Sequence, residues 1–249
     1  MGKRRLTALV LGLVFGVGGE ALLFVRHQCL EIESYLMEDF RIVVFVKGSL
    51  SENQQKVLED RLRALPIVEE VQYISSQESL RRIEGREPRL TEAVKFLGKN
   101  LLPPSFEVTI SSEAVGSLKD WLPRVQAVPD VQEVKYKTLQ ADAIMQVQFY
   151  EQFLKLILVL CLSLVLIVSA LFLTRMTSWP LALLHLKGAF SWFLLGAGGA
   201  ALGIGFCFLM AYPLRYLSPF WAWPPLNWQL SLGAAGGLWG WILYWGFER

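Results

Sequence analysis

The sequence predicts an α-helical membrane protein with four transmembrane helices and one extracytoplasmic α+β domain, the latter a ferredoxin-like fold of two βαβ halves with an inserted helical lobe. Three observations predict it. Residues 28–150 hold 15 Lys/Arg against 19 Asp/Glu, a net of −4, while the flanks are nearly free of charge. The chain as a whole is 53% hydrophobic over 249 residues, with a mean hydropathy of +0.40, too apolar for an ordinary soluble domain. Finally, a stretch beginning at Pro66 recurs at Pro129. The domains expected are 1–27, a cytoplasmic amino terminus and first span; 28–150, the extracytoplasmic domain with its lobe at 76–104; and 151–249, a three-helix membrane region.

Residues 6–25 form an apolar run of about 20 residues, or about 30 Å of helix, enough to cross the hydrocarbon core. Residues 153–173, 190–212 and 228–247 make three more such runs. Lys3, Arg4 and Arg5 before the first run fit a signal peptide, but the run is longer than a signal core and no A-x-A site follows, so an uncleaved anchor is expected. An inside amino terminus puts Lys3, Arg4, Arg5, Arg175, Lys187 and Arg249 in the cytoplasm and leaves only Arg215 in the short outer loop, 213–227. That asymmetry obeys the positive-inside rule and places both termini in the cytoplasm of a plasma (inner) membrane protein.

Four pairs, Gly12/Gly16, Gly199/Gly203, Gly233/Gly237 and Gly236/Gly240, read G-x-x-x-G, the spacing that lets helix backbones approach closely, either within this chain or across a homodimer seam. Glu20 lies inside the first span, where snorkelling toward the nearby outer end or protonation would reduce its cost. One such group, with Lys155 near an outer edge, does not make an ion pathway. Cys29, Cys161 and Cys207 are too few and too scattered for a disulfide framework and are read as packing residues.

Within the outer domain, Pro66-Ile67-Val68-Glu69-Glu70-Val71-Gln72-Tyr73 and Pro129-Asp130-Val131-Gln132-Glu133-Val134-Lys135-Tyr136 repeat at an offset of 63 residues, and Gln77 and Gln140 extend the match. Residues 41–47 alternate as a strand before the first copy, and Ser51 with Gln54 forms a capping box. The helix that follows carries Val57, Leu58, Leu62 and Leu65 on one face and stops at Pro66. Before the second copy Phe106, Val108 and Ile110 alternate as a strand, and a helix after Ser112 carries Val115, Leu118, Trp121 and Leu122. Each half thus reads strand, helix, strand, the doubled unit of a ferredoxin-like sandwich.

The lobe between the halves is not explained by the repeat. Leu80 and Ile83 share one short helix; Leu90, Val94, Phe96 and Leu97 lie on a second, followed by Leu101 and Leu102. Those apolar residues either roof the sheet or leave surface for an extracytoplasmic partner, for which Leu90, Val94, Phe96, Leu97, Leu101 and Leu102 are the candidates.

Other chemistry is missing. No G-x-x-x-x-G-K-[ST] loop occurs, and the two histidines, His27 and His185, fall on opposite sides of the membrane, so no histidine dyad or metal site forms. No catalytic, cofactor-binding or metal-ligating residue is assigned, and no enzyme activity is expected. The net charge of +2 without a basic aromatic patch excludes a nucleic-acid binder.

Three stretches resemble the cell-division family FtsX, permease-like relatives of ABC transporters. Val68 to Tyr73 followed by Ser75, Gln77, Glu78 and Leu80 is similar to the family's V-x-x-V-x-Y-[IV]-S segment; Asn100-Leu101-Leu102-Pro103-Pro104-Ser105-Phe106-Glu107-Val108 is similar to its N-P-L-P-x-S-F-x-V segment, with Leu101 in place of the first proline. Leu186-Lys187-Gly188-Ala189 resembles the L-x-G-A that closes its cytoplasmic coupling helix. The resemblance implies a partner ATPase of the FtsE type in the cytoplasm, and a coiled-coil hydrolase activator or peptidoglycan hydrolase outside. It assigns ATPase coupling to Leu184, Leu186, Gly188 and Ala189 on a coupling helix at 177–189, which Ser178 can cap, Pro180 can open and Gly188 can end. A homodimer is expected, in contact with membrane lipids.

One departure stands out: Pro180 and Ala182 occupy positions that are usually acidic in the family, and no Asp or Glu falls between Arg175 and Ala189. The alternatives are therefore a static divisome scaffold without ATPase coupling, or a transport permease of the lipoprotein- or macrolide-exporter type.

Overall fold

A computed structural model describes residues 3–48, 50–86, 102–174, 186–218 and 221–247. The chain divides into two compact units, residues 33–146, and residues 1–32 together with 147–249.

Residues 33–146 are organised by a four-stranded antiparallel sheet. Strands β1 (Ile42–Val46), β2 (Val68–Ile74), β3 (Ser105–Ile110) and β4 (Val131–Tyr136) stand in the order β2-β3-β1-β4. β1 pairs with β3 and β4, and β2 with β3, so a strand of one half always lies between the two strands of the other. Helix α2 (Glu52–Arg63) joins β1 to β2 and α4 (Leu118–Gln126) joins β3 to β4, which makes two split β-α-β units; α3 (Ser76–Arg86) follows β2. Alternation decides the faces: Ile42, Val44, Val46, Phe106, Val108 and Ile110 are all buried, and they share a core with Leu58 and Leu62 of α2 and Trp121 and Val125 of α4. Each such side chain contributes about 1.5–3 kcal/mol on burial, so this face carries the domain.

The two helices start differently. Ser51 caps α2 with the expected capping box, its hydroxyl accepting from the Gln54 amide while the Gln54 side chain accepts from the Ser51 amide. The second copy departs from expectation: residues Ser112–Ser117 form a 3-10 turn, and the α-helix begins only at Leu118. Ser111 makes no side-chain cap there, and the Ala114 amide instead donates to the Ser111 carbonyl at 3.1 Å, the shorter closure of a 3-10 turn.

The other unit holds the amino-terminal part of α1 (Lys3–Glu38), most of α5 (Thr138–Thr174), α6 (Leu186–Ala211) and α7 (Leu226–Phe247). Among the described residues three helical stretches are long and apolar enough to cross a membrane: Arg5–Glu38, Thr138–Leu171 and Gly188–Tyr216. The fourth expected span coincides with α7, which has 22 residues and no charge, but its four tryptophans and five glycines keep its hydropathy below that of the other three.

The glycine pairs are spent inside the chain. A methyl group on Gly12 would lie 2.3 Å from the Gly196 carbonyl oxygen, and one on Gly16 2.3 Å from that of Ala200. Gly199 and Gly203 stand against the Leu9 and Leu13 carbonyls in return, and Gly240 against that of Trp192. Helix α6 is thus gripped between α1 and α7 at backbone contact. Gly233 has open space around it within the chain, while Gly237 makes room for the Phe193 ring.

Glu20 does not snorkel. It is fully buried (0% exposed), and its Oε1 accepts a 3.1 Å hydrogen bond from Gln229 Nε2 of α7. Helix α1 runs on to Glu38, so position 20 is mid-helix and its side chain is enclosed by the bundle. Near it, Arg26 bridges to Glu151 at 2.6 Å and lies over the Trp228 ring, tying α1 to α5 and α7. Of the cysteines, Cys207 donates to the Val17 carbonyl, but Cys161 is exposed on α5 rather than packed, because that helix buries little of its surface in the chain.

Candidate functional site: a groove on the open face of the sheet

The sheet has a second face. Helices α2 and α4 cover only the first, so the alternate residues of β1 and β3, Val43, Phe45, Ser105 and Glu107, point the other way. They floor a groove of about 850 Å³. Its walls come from Asp39 and Arg41 before β1, Ser79 and Arg82 of α3, Leu102 and Pro103 before β3, and Lys135 and Lys137 at the end of β4.

The floor sets apolar Val43 and Phe45 beside polar Ser105 and Glu107, and the rim is charged. Arg82 forks onto both Glu107 oxygens, at 2.9 and 3.0 Å, and these hydrogen bonds push the guanidinium's pKa up. Lys137 pairs with Asp39. Lys135 reaches over the Phe45 ring and pairs with Glu133 at 3.3 Å, while Arg41 donates to the Phe40 carbonyl at 2.8 Å. These pairs are exposed and each is worth well under about 1 kcal/mol to stability, so their effect is to shape a rim. A groove of this build has room for side chains of a partner.

Leu90, Val94, Phe96, Leu97 and Leu101 lie outside the described residues; Leu102 lines the groove. Val43 and Phe45 were not expected in a site. Their signal was present: β1 reads Ile-Val-Val-Phe-Val, apolar at every position, and a strand apolar on both faces is covered or bound on both.

The expected coupling residues have a different setting. Leu184 lies outside the described residues, and Leu186 begins α6. Gly188 does not end a helix, as was expected of a coupling helix at 177–189; it lies within α6. A methyl group there would stand 2.8 Å from the Tyr244 hydroxyl, so packing, not helix termination, demands glycine. Ala189 is buried beside it with Ala8, Trp192 and Tyr244.

Residues 39–148 match the family model of the FtsX extracellular domain, the same stretch that builds the sheet and its groove. No curated protein matches the chain. The chain carries an FtsX extracellular domain at residues 39–148 together with helices apolar enough to cross a membrane, and in that domain it is similar to the FtsX-like cell-division proteins.

Proposed function

We propose that this chain is the membrane subunit that relays the ATP cycle of a cytoplasmic FtsE-type ATPase to peptidoglycan hydrolases, or their coiled-coil activator, outside the membrane during cell division. The observation that carries this reading is the FtsX extracellular domain at residues 39–148, with apolar helices before and after it. In this reading α7 is the fourth span, both termini are cytoplasmic, the split β-α-β sheet is ferredoxin-like, and the subunit works as a homodimer. Helix α5, 37 residues or about 55 Å without a break, supports the idea of a rod that conveys displacement along its length.

The inner contact falls on Leu184 and Leu186, and Gly188 and Ala189 serve it through their packing on Tyr244 and Trp192. The absence of Asp and Glu between Arg175 and Ala189 fits an ATPase socket that is apolar rather than basic. The same absence favours a static scaffold as the second reading, since a coupling helix no longer under selection would also lose its acids. The outer partner docks over the groove floor.

The outer half is tested by capture of a coiled-coil activator by the full chain. Val43→Asp with Phe45→Asp is expected to reduce capture at least about tenfold, the loss of two apolar anchors. Full capture by that variant, with loss in Phe96→Ala/Leu97→Ala, would move the site entirely to the lobe.

A further inference from the structure

Residues 189–247 contain one charged side chain, Arg215. It lies in the 3-10 turn Tyr212–Tyr216, where the apolar stretch Gly188–Tyr216 ends. The guanidinium sits over the Tyr212 ring at 3.9 Å and the Tyr216 ring at 4.4 Å, and it donates to both hydroxyls. The rings hold the group in place but do not neutralise it.

No carboxylate among the described residues pairs with Arg215. Among the described residues of the same unit, Glu151 is engaged by Arg26, Glu31 stands 3.9 Å from His27, and Glu20 is enclosed and bonded to Gln229. The guanidinium is thus left open to a counter-charge from outside the described residues. Its surroundings say from what: Leu209, Met210 and Leu217 are 70%, 64% and 80% exposed. An arginine bracketed by tyrosines above exposed long apolar side chains is the arrangement of the lipid–water boundary, where aromatic rings sit at headgroup level and cations meet phosphate. Two hydroxyls beside a forked guanidinium suit a phosphate, which takes several donors at once.

We propose that Arg215, Tyr212 and Tyr216 bind the phosphate of an anionic glycerophospholipid whose acyl chains cover Leu209, Met210 and Leu217. The site is independent of any ATPase or outer partner.

Native mass spectrometry of the full chain, released from detergent with added phosphatidylglycerol or phosphatidylcholine, tests it. Wild type is expected to retain phosphatidylglycerol in preference to phosphatidylcholine, and Arg215→Gln to retain about fivefold less of it, the weight of one cation at a lipid surface. Excess inorganic phosphate should not displace the lipid. Leu217→Asp, at a side chain too exposed to disturb folding, should weaken retention as well. Undiminished retention in either variant, equal retention of the two lipids, or displacement by inorganic phosphate alone would overturn the proposal.

Discussion

Ile67 and Asp130 stand 63 positions apart and share a left-handed backbone, with φ of 74° and 70°. Each follows a proline at the exit of a helix, and the hydrogen bonds around them also correspond. Ala64 donates to the Asp60 carbonyl and Ala127 to that of Pro123; Leu65 donates to Leu62 and Val128 to Val125. The duplication of the outer domain therefore extends beyond its letters to a torsion that costs a β-branched residue about 1–2 kcal/mol. Only the second copy places a tolerant residue there.

That torsion reverses a familiar order. At an ordinary half-buried position alanine is tolerated better than glycine, but at Ile67 the strain persists in alanine and is relieved in glycine. Ile67→Ala is expected to cost about 1 kcal/mol of lost packing, and Ile67→Gly to be no worse, within about 0.5 kcal/mol of wild type. Thermal unfolding of the two variants beside wild type checks the order. A glycine variant clearly less stable than the alanine one would mean the strain is not felt.

The caps predict an asymmetry between the halves. Ser51→Ala removes a hydroxyl that accepts from the Gln54 amide and should destabilise by about 1 kcal/mol. Ser111→Ala removes a side chain that makes no cap and should change stability by less than about 0.5 kcal/mol. The difference in unfolding midpoints between the two alanine variants is the measurement.

In the bundle, Gly12→Ala drives a methyl to 2.3 Å from a backbone oxygen that cannot rotate away. Helix α1 must then back off from α6, at about 1–3 kcal/mol. Gly18→Ala, where nothing lies within 4 Å, should be silent. Thermal stability and monodispersity in detergent should separate the two.

Arg26 and Glu151 form an ion pair at 2.6 Å with side chains only 17% and 12% exposed. Arg26→Glu and Glu151→Arg should each destabilise by about 3 kcal/mol, because a half-enclosed charge loses its partner and meets its like. The double exchange should recover most of that loss. A double variant as unstable as the singles would assign the effect to Trp228 and shape rather than to charge.

What was legible in the sequence was local. The Ser51–Gln54 box, the alternation of Phe106, Val108 and Ile110, and the recurrence at Pro66 and Pro129 each live within a few residues, and each reappears as structure. The glycine spacings announced close helix packing but could not name partners, since which backbone meets Gly12 depends on α6 lying beside α1. The groove was half visible, in a β1 apolar on both faces, and half hidden, because its rim collects Arg41, Arg82 and Lys135 from three separate elements. The burial of Glu20 was misread for the same reason: Gln229 lies 209 residues away, and only folding brings it within reach.

The central claim is ATPase coupling, and the structure sharpens how to test it. Gly188→Trp is a poor probe because Gly188 packs on Tyr244, so bundle damage would mimic lost contact. Leu184→Glu is the better one. The direct measurement is co-purification of an FtsE-type ATPase with the full chain, wild type against Leu184→Glu at matched thermal stability. The account predicts that wild type retains the ATPase and Leu184→Glu loses it about tenfold or more, as when a central apolar anchor is replaced by a charge. A wild-type chain that retains no ATPase, or a variant that retains it undiminished, would contradict the account.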